Sequence, residues 1–409
     1  MAYNEALHDL KVVEYGNFVS GPYCTKLMAD LGAEVIKVEA PRGGDEARNW
    51  GPFPGDIPHP EKSGLFLYLN TNKLGITLNL RDSLGKELFT ELVKRCDILV
   101  ENNPPALMPQ LGLDYETLSK VNPRLVMTSI TPFGQDELYC DYNASELILV
   151  NMSGIGHGTP GEVEDIDREP PLKARALEVE FMAGMFGALA TMFAIFVQQT
   201  TGVGQHVDVS AQEATAWVNF GSLSSYLYAQ PNVSPVREKK GRLPFAPMHV
   251  LPCKDGYVHL ECLEEHQWQS FVELMGNPEW AKNELFSNRT SRAEYWDALE
   301  PLIIKLTNQW DKEKLAQVGQ ARGIPCTVVR EAKDLLSSEQ LATRNFFVEV
   351  DHPASGKLLY PGAPYQLSQT PWQVKRPAPL LGEHNLEIFC GRLGYVLEDL
   401  ARMRAMKVI

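Results

Sequence analysis

Glu180 is the last charged residue before an uncharged run, residues 181–197 (FMAGMFGALATMFAIFV). A helix apolar on every side within a globular protein must be buried on every side, so its first turn is poorly solvated. A carboxylate there stands where charge is costly, and something must compensate it. Unpaired N–H groups at a helix amino terminus do so in part, by roughly 0.3–1 kcal/mol. Two readings follow. One is a first-turn acid that stabilises its own helix, the commoner case; the other is a carboxylate with a functional role.

Other constellations are weaker. Gly154, Gly156 and Gly158 form a glycine cluster, but it runs into the acidic stretch 161–169 rather than linking a strand to a helix, as phosphate-cradling loops do. An ordinary loop fits it better. Glu39 ends an apolar segment where a dinucleotide's ribose would be held, yet the preceding turn carries Gly16 and Gly21 without the G-x-G-x-x-G spacing. His249, His259 and His266, with Cys253 and Cys262 between them, lack zinc-ligand spacing, so no metal is assigned. There is no G-x-S-x-G elbow for a serine nucleophile.

The elements around these residues alternate in period. Residues 10–15 (LKVVEY) predict a strand, 16–22 a glycine-bearing turn, 22–31 a helix and 34–39 (EVIKVE) a second strand. Strands at 75–80, 97–101 and 124–130 alternate with helices near 83–95 and 115–120, and residues 204–210 predict a further strand feeding a helix over 211–227. This pattern predicts a doubly wound, mostly parallel, Rossmann-like sheet with helices on both faces. Ligands then sit beyond the strand ends, at residues 39–48, 101–105 and 131–135. Proline and basic residues over 230–247 read as a linker, followed by a hairpin at 250–262 and helices over 266–318. Strand character returns at 323–329, and a second hairpin spans 346–360. A smaller α+β domain is thus expected at 230–322, between the two parts of a large domain, 1–229 and 323–409.

Composition excludes some partners. A chain of 409 residues, 44% hydrophobic, buries a large core. With 52 acidic against 38 basic residues, a formal net charge of -14, it repels polyanions, so nucleic acid is excluded. Seven scattered cysteines with no C-x-x-C pair suit a reducing, cytoplasmic compartment. Residues 1–9 lack the basic segment and apolar run of a secretory leader, and the run at 181–197 has no cationic anchors beside it, so a buried helix is expected rather than a membrane span.

Several motifs occur in a characteristic order. Gly21-Pro22 precedes Ala29-Asp30-Leu31-Gly32-Ala33-Glu34-Val35-Ile36-Lys37-Val38-Glu39, followed by Gly44-Asp45, Arg48 and Asn72-Lys73. Val100-Glu101-Asn102, Leu111-Gly112-Leu113, Asn122-Pro123-Arg124-Leu125 and Leu381-Gly382-Glu383-His384 complete the set. In these motifs, over nearly its whole length, the chain resembles the family III CoA-transferases, the group of formyl-CoA, carnitine and benzylsuccinate CoA-transferases, related to α-methylacyl-CoA racemase.

The resemblance implies an interlocked dimer in which an acid four residues before a glycine, here Glu180 before Gly184, attacks the acyl-CoA carbonyl. It implies CoA contacts at Phe18, Val19, Arg48, Leu78, Arg81, Asn102, Asn103 and Gln110. No permanently bound cofactor is implied; the CoA thioester is a substrate. Three positions depart from the family pattern. Glu180 stands where relatives carry aspartate, and an added methylene displaces the nucleophile by about 1 Å, on the order of 10²-fold in rate if nothing adjusts. Gln110 replaces a basic residue that meets CoA phosphate, and Asn103-Pro104-Pro105 replaces a basic-proline pair. Ser145 stands where the racemases place a histidine, so racemisation lacks one of its two bases.

The resulting expectation is a chain that moves CoA from succinyl-CoA to an organic acid such as a substituted succinate, benzylsuccinate for example. It would act as a homodimer, or as a heterodimer or heterotetramer with a homologous chain, away from membranes and nucleic acid. The alternative is a structural subunit whose homologue carries the working aspartate; an acyl-CoA racemase is a weaker one.

Overall fold

Six segments rich in β-branched and apolar residues run parallel: β1 (Lys11–Tyr15), β2 (Glu34–Glu39), β3 (Leu74–Thr77), β4 (Ile98–Glu101), β5 (Val126–Thr131) and β6 (His206–Ser210). Every residue of β3, β4 and β5 is buried, as expected of strands covered on both faces. Their order is β3-β2-β1-β4-β5-β6. β1 lies between β2 and β4, with Val12 opposite Val35 on one side and Ile98 on the other. The winding direction reverses between β1 and β4, so the connections leaving these strands diverge and open a crevice at their carboxyl ends. The computed structural model describes residues 5–136, 138–173, 175–228, 238–239 and 245–409.

Alternate strand residues feed two apolar layers. Val12, Val35, Ile98 and Val100 pack with Met28 of α1 (Ser20–Ala29) and with Ala183 and Ile195 of α4 (Glu178–Thr201). Val13, Val38 and Leu99 pack on the other face with Leu88 and Phe89 of α2 (Ser83–Val93) and with Phe389 and Leu400. One further helix matters below, α3 (Glu146–Met152). The chain forms two compact units: Met1–Gly156, Lys173–Ser224 and Asn345–Ile409 make the first, His157–Leu172 and Ser225–Arg344 the second. The second unit holds an antiparallel sheet ordered β9-β8-β7, made from β7 (Met248–Cys253), β8 (Gly256–Glu261) and β9 (Cys326–Val328). Trp296, Leu299, Phe271 and Val258 form its core.

The Asn345–Ile409 segment belongs to the first unit. It begins with a hairpin, β10 (Phe347–His352) and β11 (Gly356–Pro361), and then runs along the open side of β3. There Gly75 N–H meets His384 Nδ1 at 3.1 Å, and Thr77 N–H meets Asn385 Oδ1 at 2.9 Å.

Three expectations change. The strand near residues 323–329 is β9, hydrogen-bonded to β8, so the second unit extends to Arg344 rather than ending at residue 322. The acidic loop His157–Leu172 also belongs to that unit. Finally, α4 is not buried on every side. Small residues, Ala183, Gly184, Gly187, Ala188 and Ala194, line its inner face, whereas Phe193 and Phe196 on the outer face are 63% and 71% exposed. The helix is long and apolar enough to cross a membrane, but its inner face closes the core over the sheet. The expected linker, residues 230–247, lies largely outside the described residues.

Candidate active site

The turn between β1 and α1 is shaped by close approach and by a left-handed residue. A Cβ at Gly21 would lie 3.1 Å from the Asn102 side chain and 3.2 Å from Gly16 Cα. Phe18 adopts φ 63°, an uncommon conformation for a non-glycine residue, so its surroundings must enforce it. They do so from two sides. Asp45 Oδ1 accepts the Phe18 N–H at 2.9 Å, and the Phe18 ring packs on Trp50 at 4.9 Å between centroids. Asn102, at the end of β4, accepts the Asn17 N–H at 2.7 Å and donates to Asn17 O at 2.8 Å and Ser20 Oγ at 2.9 Å. Neighbouring Asn103 donates through its amide nitrogen to Tyr15 O at 3.0 Å, while Glu101 accepts its backbone N–H at 2.8 Å.

Glu180 enters from α4. That helix crosses α1 at Gly184, where a Cβ would stand 2.6 Å from Ser20 O and 3.2 Å from the Tyr23 side chain. Glycine is therefore required four residues after the acid, because only it lets the acid's turn lie against the head of α1. The sequence suggests that Glu180 is compensated by its own helix, but two of those N–H groups are already taken. The buried Glu146 carboxylate of α3 accepts the Val179 N–H at 3.0 Å and the Glu180 N–H at 3.4 Å. Glu180 Oε2 instead accepts the Ser20 N–H, the first of α1, at 3.2 Å. It therefore uses the amino terminus of a different helix. Burial pushes its carboxyl above the usual carboxylate range; the Ser20 hydroxyl and N–H pull against that, and the charges of Glu146 and Glu46 add to it. The arrangement can present an ionisable, partly desolvated carboxylate whose charge one backbone N–H already supports.

The other expected residues are scattered differently. Tyr15, Gly16, Asn17, Gly44, Asp45 and Asn103 line a cavity of about 160 Å³ at the strand ends. Arg81 is exposed and near enough to Tyr15 to draw its phenol down against the raising effect of burial. Gln110 is exposed, and Phe18 is half-buried. The Val19 and Leu78 side chains are buried, so only their backbones can meet a ligand. Arg48 is a correction. It is 1% exposed, and its guanidinium is engaged by Glu39, Glu61, Pro60 O and Pro379 O, which leaves nothing to offer a phosphate. Asn102 likewise holds the turn with every polar atom of its side chain. Sequence reasoning missed Ser20 and Glu146, which lie 160 and 34 positions from Glu180 and belong to no local motif. Among the described residues, no group of three or more His, Cys, Asp or Glu side chains is arranged to hold a metal.

Fold and site together define a doubly wound α/β protein that presents a carboxylate at a helix head, beside the crevice where the sheet's winding reverses. The family model for CoA-transferase family III matches residues 7–385, and the chain belongs to that family of enzymes. It is 34% identical over 401 residues to the succinyl-CoA:(R)-benzylsuccinate CoA-transferase subunit BbsE of Thauera aromatica, covering 94% of this chain and 95% of that one. It is 32% identical over 408 residues to the succinyl-CoA–D-citramalate CoA-transferase of Chloroflexus aurantiacus, covering 98% of each. Among solved structures, a CAIB/BAIF family protein from Brucella suis superposes with a TM-score of 0.83 at 27% identity, covering 99% of this chain and all of that one.

Proposed function

We propose that this chain transfers CoA from succinyl-CoA to an organic acid of the substituted-succinate class, with Glu180 as the covalent nucleophile. The observation that carries the reading is the Glu180 carboxylate 3.2 Å from the Ser20 N–H, at the end of the turn that borders the strand-end cavity. An ionised Glu180 oxygen adds to the thioester carbonyl, the C–S bond breaks, and CoA leaves as thiolate from a mixed anhydride. The thiolate then attacks the Glu180 acyl carbon, and the donor acid leaves as carboxylate. The acceptor carboxylate attacks the resulting enzyme thioester, and the released thiolate attacks the acceptor's acyl carbon, which frees Glu180. No net proton moves, and the thioester's energy is kept throughout.

Arg81, Gln110, Asn103 and the Phe18 and Val19 backbone would contact CoA, with Leu78 buried behind them. The seven free cysteines suit a cytoplasmic setting, and benzylsuccinate and citramalate in the names of two relatives support a substituted four-carbon diacid as acceptor. Purified protein should exchange labelled CoA between succinyl-CoA and succinate and yield a hydroxylamine-sensitive adduct at Glu180. Glu180→Gln should lose both, and an unchanged rate in that variant would end the reading.

A second reading, a partner subunit, is favoured by the word subunit in the benzylsuccinate relative's name and by the uncovered apolar face of α4. Its signature is exchange that appears only when a homologous chain is added and that survives Glu180→Gln.

A further inference from the structure

Four charged residues, Glu14, Lys37, Asp45 and Lys73, converge beneath the turn at residues 16–22. All four side chains are fully buried. Lys37 Nζ lies 2.6 Å from Glu14 Oε1 and 2.7 Å from Asp45 Oδ2, and Lys73 Nζ lies 2.7 Å from Glu14 Oε2. Two ammoniums thus face two carboxylates. A buried ion network is a poor stability device, because desolvation offsets most of the Coulombic gain. What distinguishes this one is where its remaining hydrogen bonds go.

Lys37 donates to Gly16 O at 3.2 Å, the carbonyl that opens the turn. Lys73 donates to Pro22 O at 2.8 Å, the carbonyl that closes it, and its third proton goes to Asn70 Oδ1 at 2.9 Å. Asp45 takes the Phe18 N–H midway between them. Thr25, one turn into α1, donates to Glu14. The network therefore grips the turn at its beginning, middle and end with charge-assisted bonds, which are stronger than neutral ones. The Ser20 N–H that emerges from this grip is the one Glu180 receives.

We infer that the Glu14, Lys37, Asp45 and Lys73 network consists of positioning residues that hold the turn so that the Ser20 N–H meets Glu180. This rests on the transferase reading only for its kinetic consequence. The holding itself is readable without activity, by amide hydrogen exchange over residues 16–22.

Asp45→Ala and Lys73→Met are compared with wild type, and Asp45→Asn serves as a conservative variant that keeps an acceptor for Phe18. In Asp45→Ala and Lys73→Met, exchange of the turn amides rises about 10-fold or more while β1 and β5 keep their protection. The kcat for CoA exchange falls on the order of 10²-fold with little change in KM, as expected when a reacting group is misplaced by about 1 Å. Asp45→Asn recovers most of both. Should Lys73→Met fail to fold, the two Asp45 variants give the same reading. The inference is overturned if folded variants keep wild-type turn exchange and kcat, or if protection is lost evenly across the sheet, which marks a purely stabilising network. If the turn loosens as stated but wild type never exchanges CoA, with or without a homologue, the transferase reading falls and the positioning inference stands.

Discussion

Glu180 combines two demands that pull in opposite directions. A nucleophile must be ionised, yet burial raises its carboxyl above the usual range. The ionised fraction therefore shrinks on acidification at a pH where an exposed glutamate would still be fully charged. We predict that kcat/KM for the acyl-CoA falls through an acid limb lying above the ordinary value of 4.5. Ser20→Ala, which removes a hydroxyl that favours the charged form, should move that limb further up, as a pH–rate profile would show. Glu180→Asp should lower kcat, on the order of 10²-fold, because the shorter carboxylate withdraws from the Ser20 N–H by about 1 Å. A gain in rate would mean that the glutamate is badly placed. Glu180 stood out in the sequence as the last charge before an apolar run, but that position alone favours a helix-stabilising acid, and the nucleophile's role came from the family resemblance. Its support was not legible there, since Ser20 and Glu146 reach it only through the folded chain.

At the scale of elements, the crossing of α1 and α4 sets the distance between the acid and its N–H donor. Gly184→Ala would put a methyl group 2.6 Å from a backbone carbonyl, whereas at Gly187 the 2.6 Å neighbour is the Ile130 side-chain end, which can rotate away. Overpacking of the first kind costs about 1–3 kcal/mol. Chemical denaturation should therefore show a larger loss for Gly184→Ala than for Gly187→Ala, and only the former should also lose kcat. The alternating strand and helix periods announced the parallel sheet, because short strand segments at 10–15, 75–80 and 97–101 are followed by helical ones at 22–31, 83–95 and 115–120. The same periodicity misjudged α4. A continuous apolar run says how much surface wants cover but not what covers it, and one face here lies open in the single chain. Arg48, a CoA contact by the family resemblance, was misjudged because nothing in the motif shows that Glu39 and Glu61 enclose it.

For the whole molecule, the buried charges predict acid sensitivity. Burial alone would raise the Glu14 carboxyl, but the Lys37 and Lys73 ammoniums override it and hold it at about 2, against an ordinary 4.5. Its contribution to stability is complete above the ordinary value and is lost as the pH falls through about 2. Urea midpoints at fixed ionic strength should drop over that window in wild type. Glu14→Gln, which leaves the buried Lys73 without a carboxylate and Lys37 with Asp45 alone, should be less stable at neutral pH by about 3–5 kcal/mol and should show a flatter acid response. The second feature at this scale is the path of the Asn345–Ile409 segment, whose His384 and Asn385 close the free side of β3. A ribosome delivers that segment only after all six strands of the sheet. Until it emerges, the edge of β3 carries backbone groups with no protein partner, the kind of template that recruits other nascent strands. A chain ended after Arg344 should accordingly be recovered in inclusion bodies, and the longer chain should depend on chaperones most before residues 345–409 have emerged.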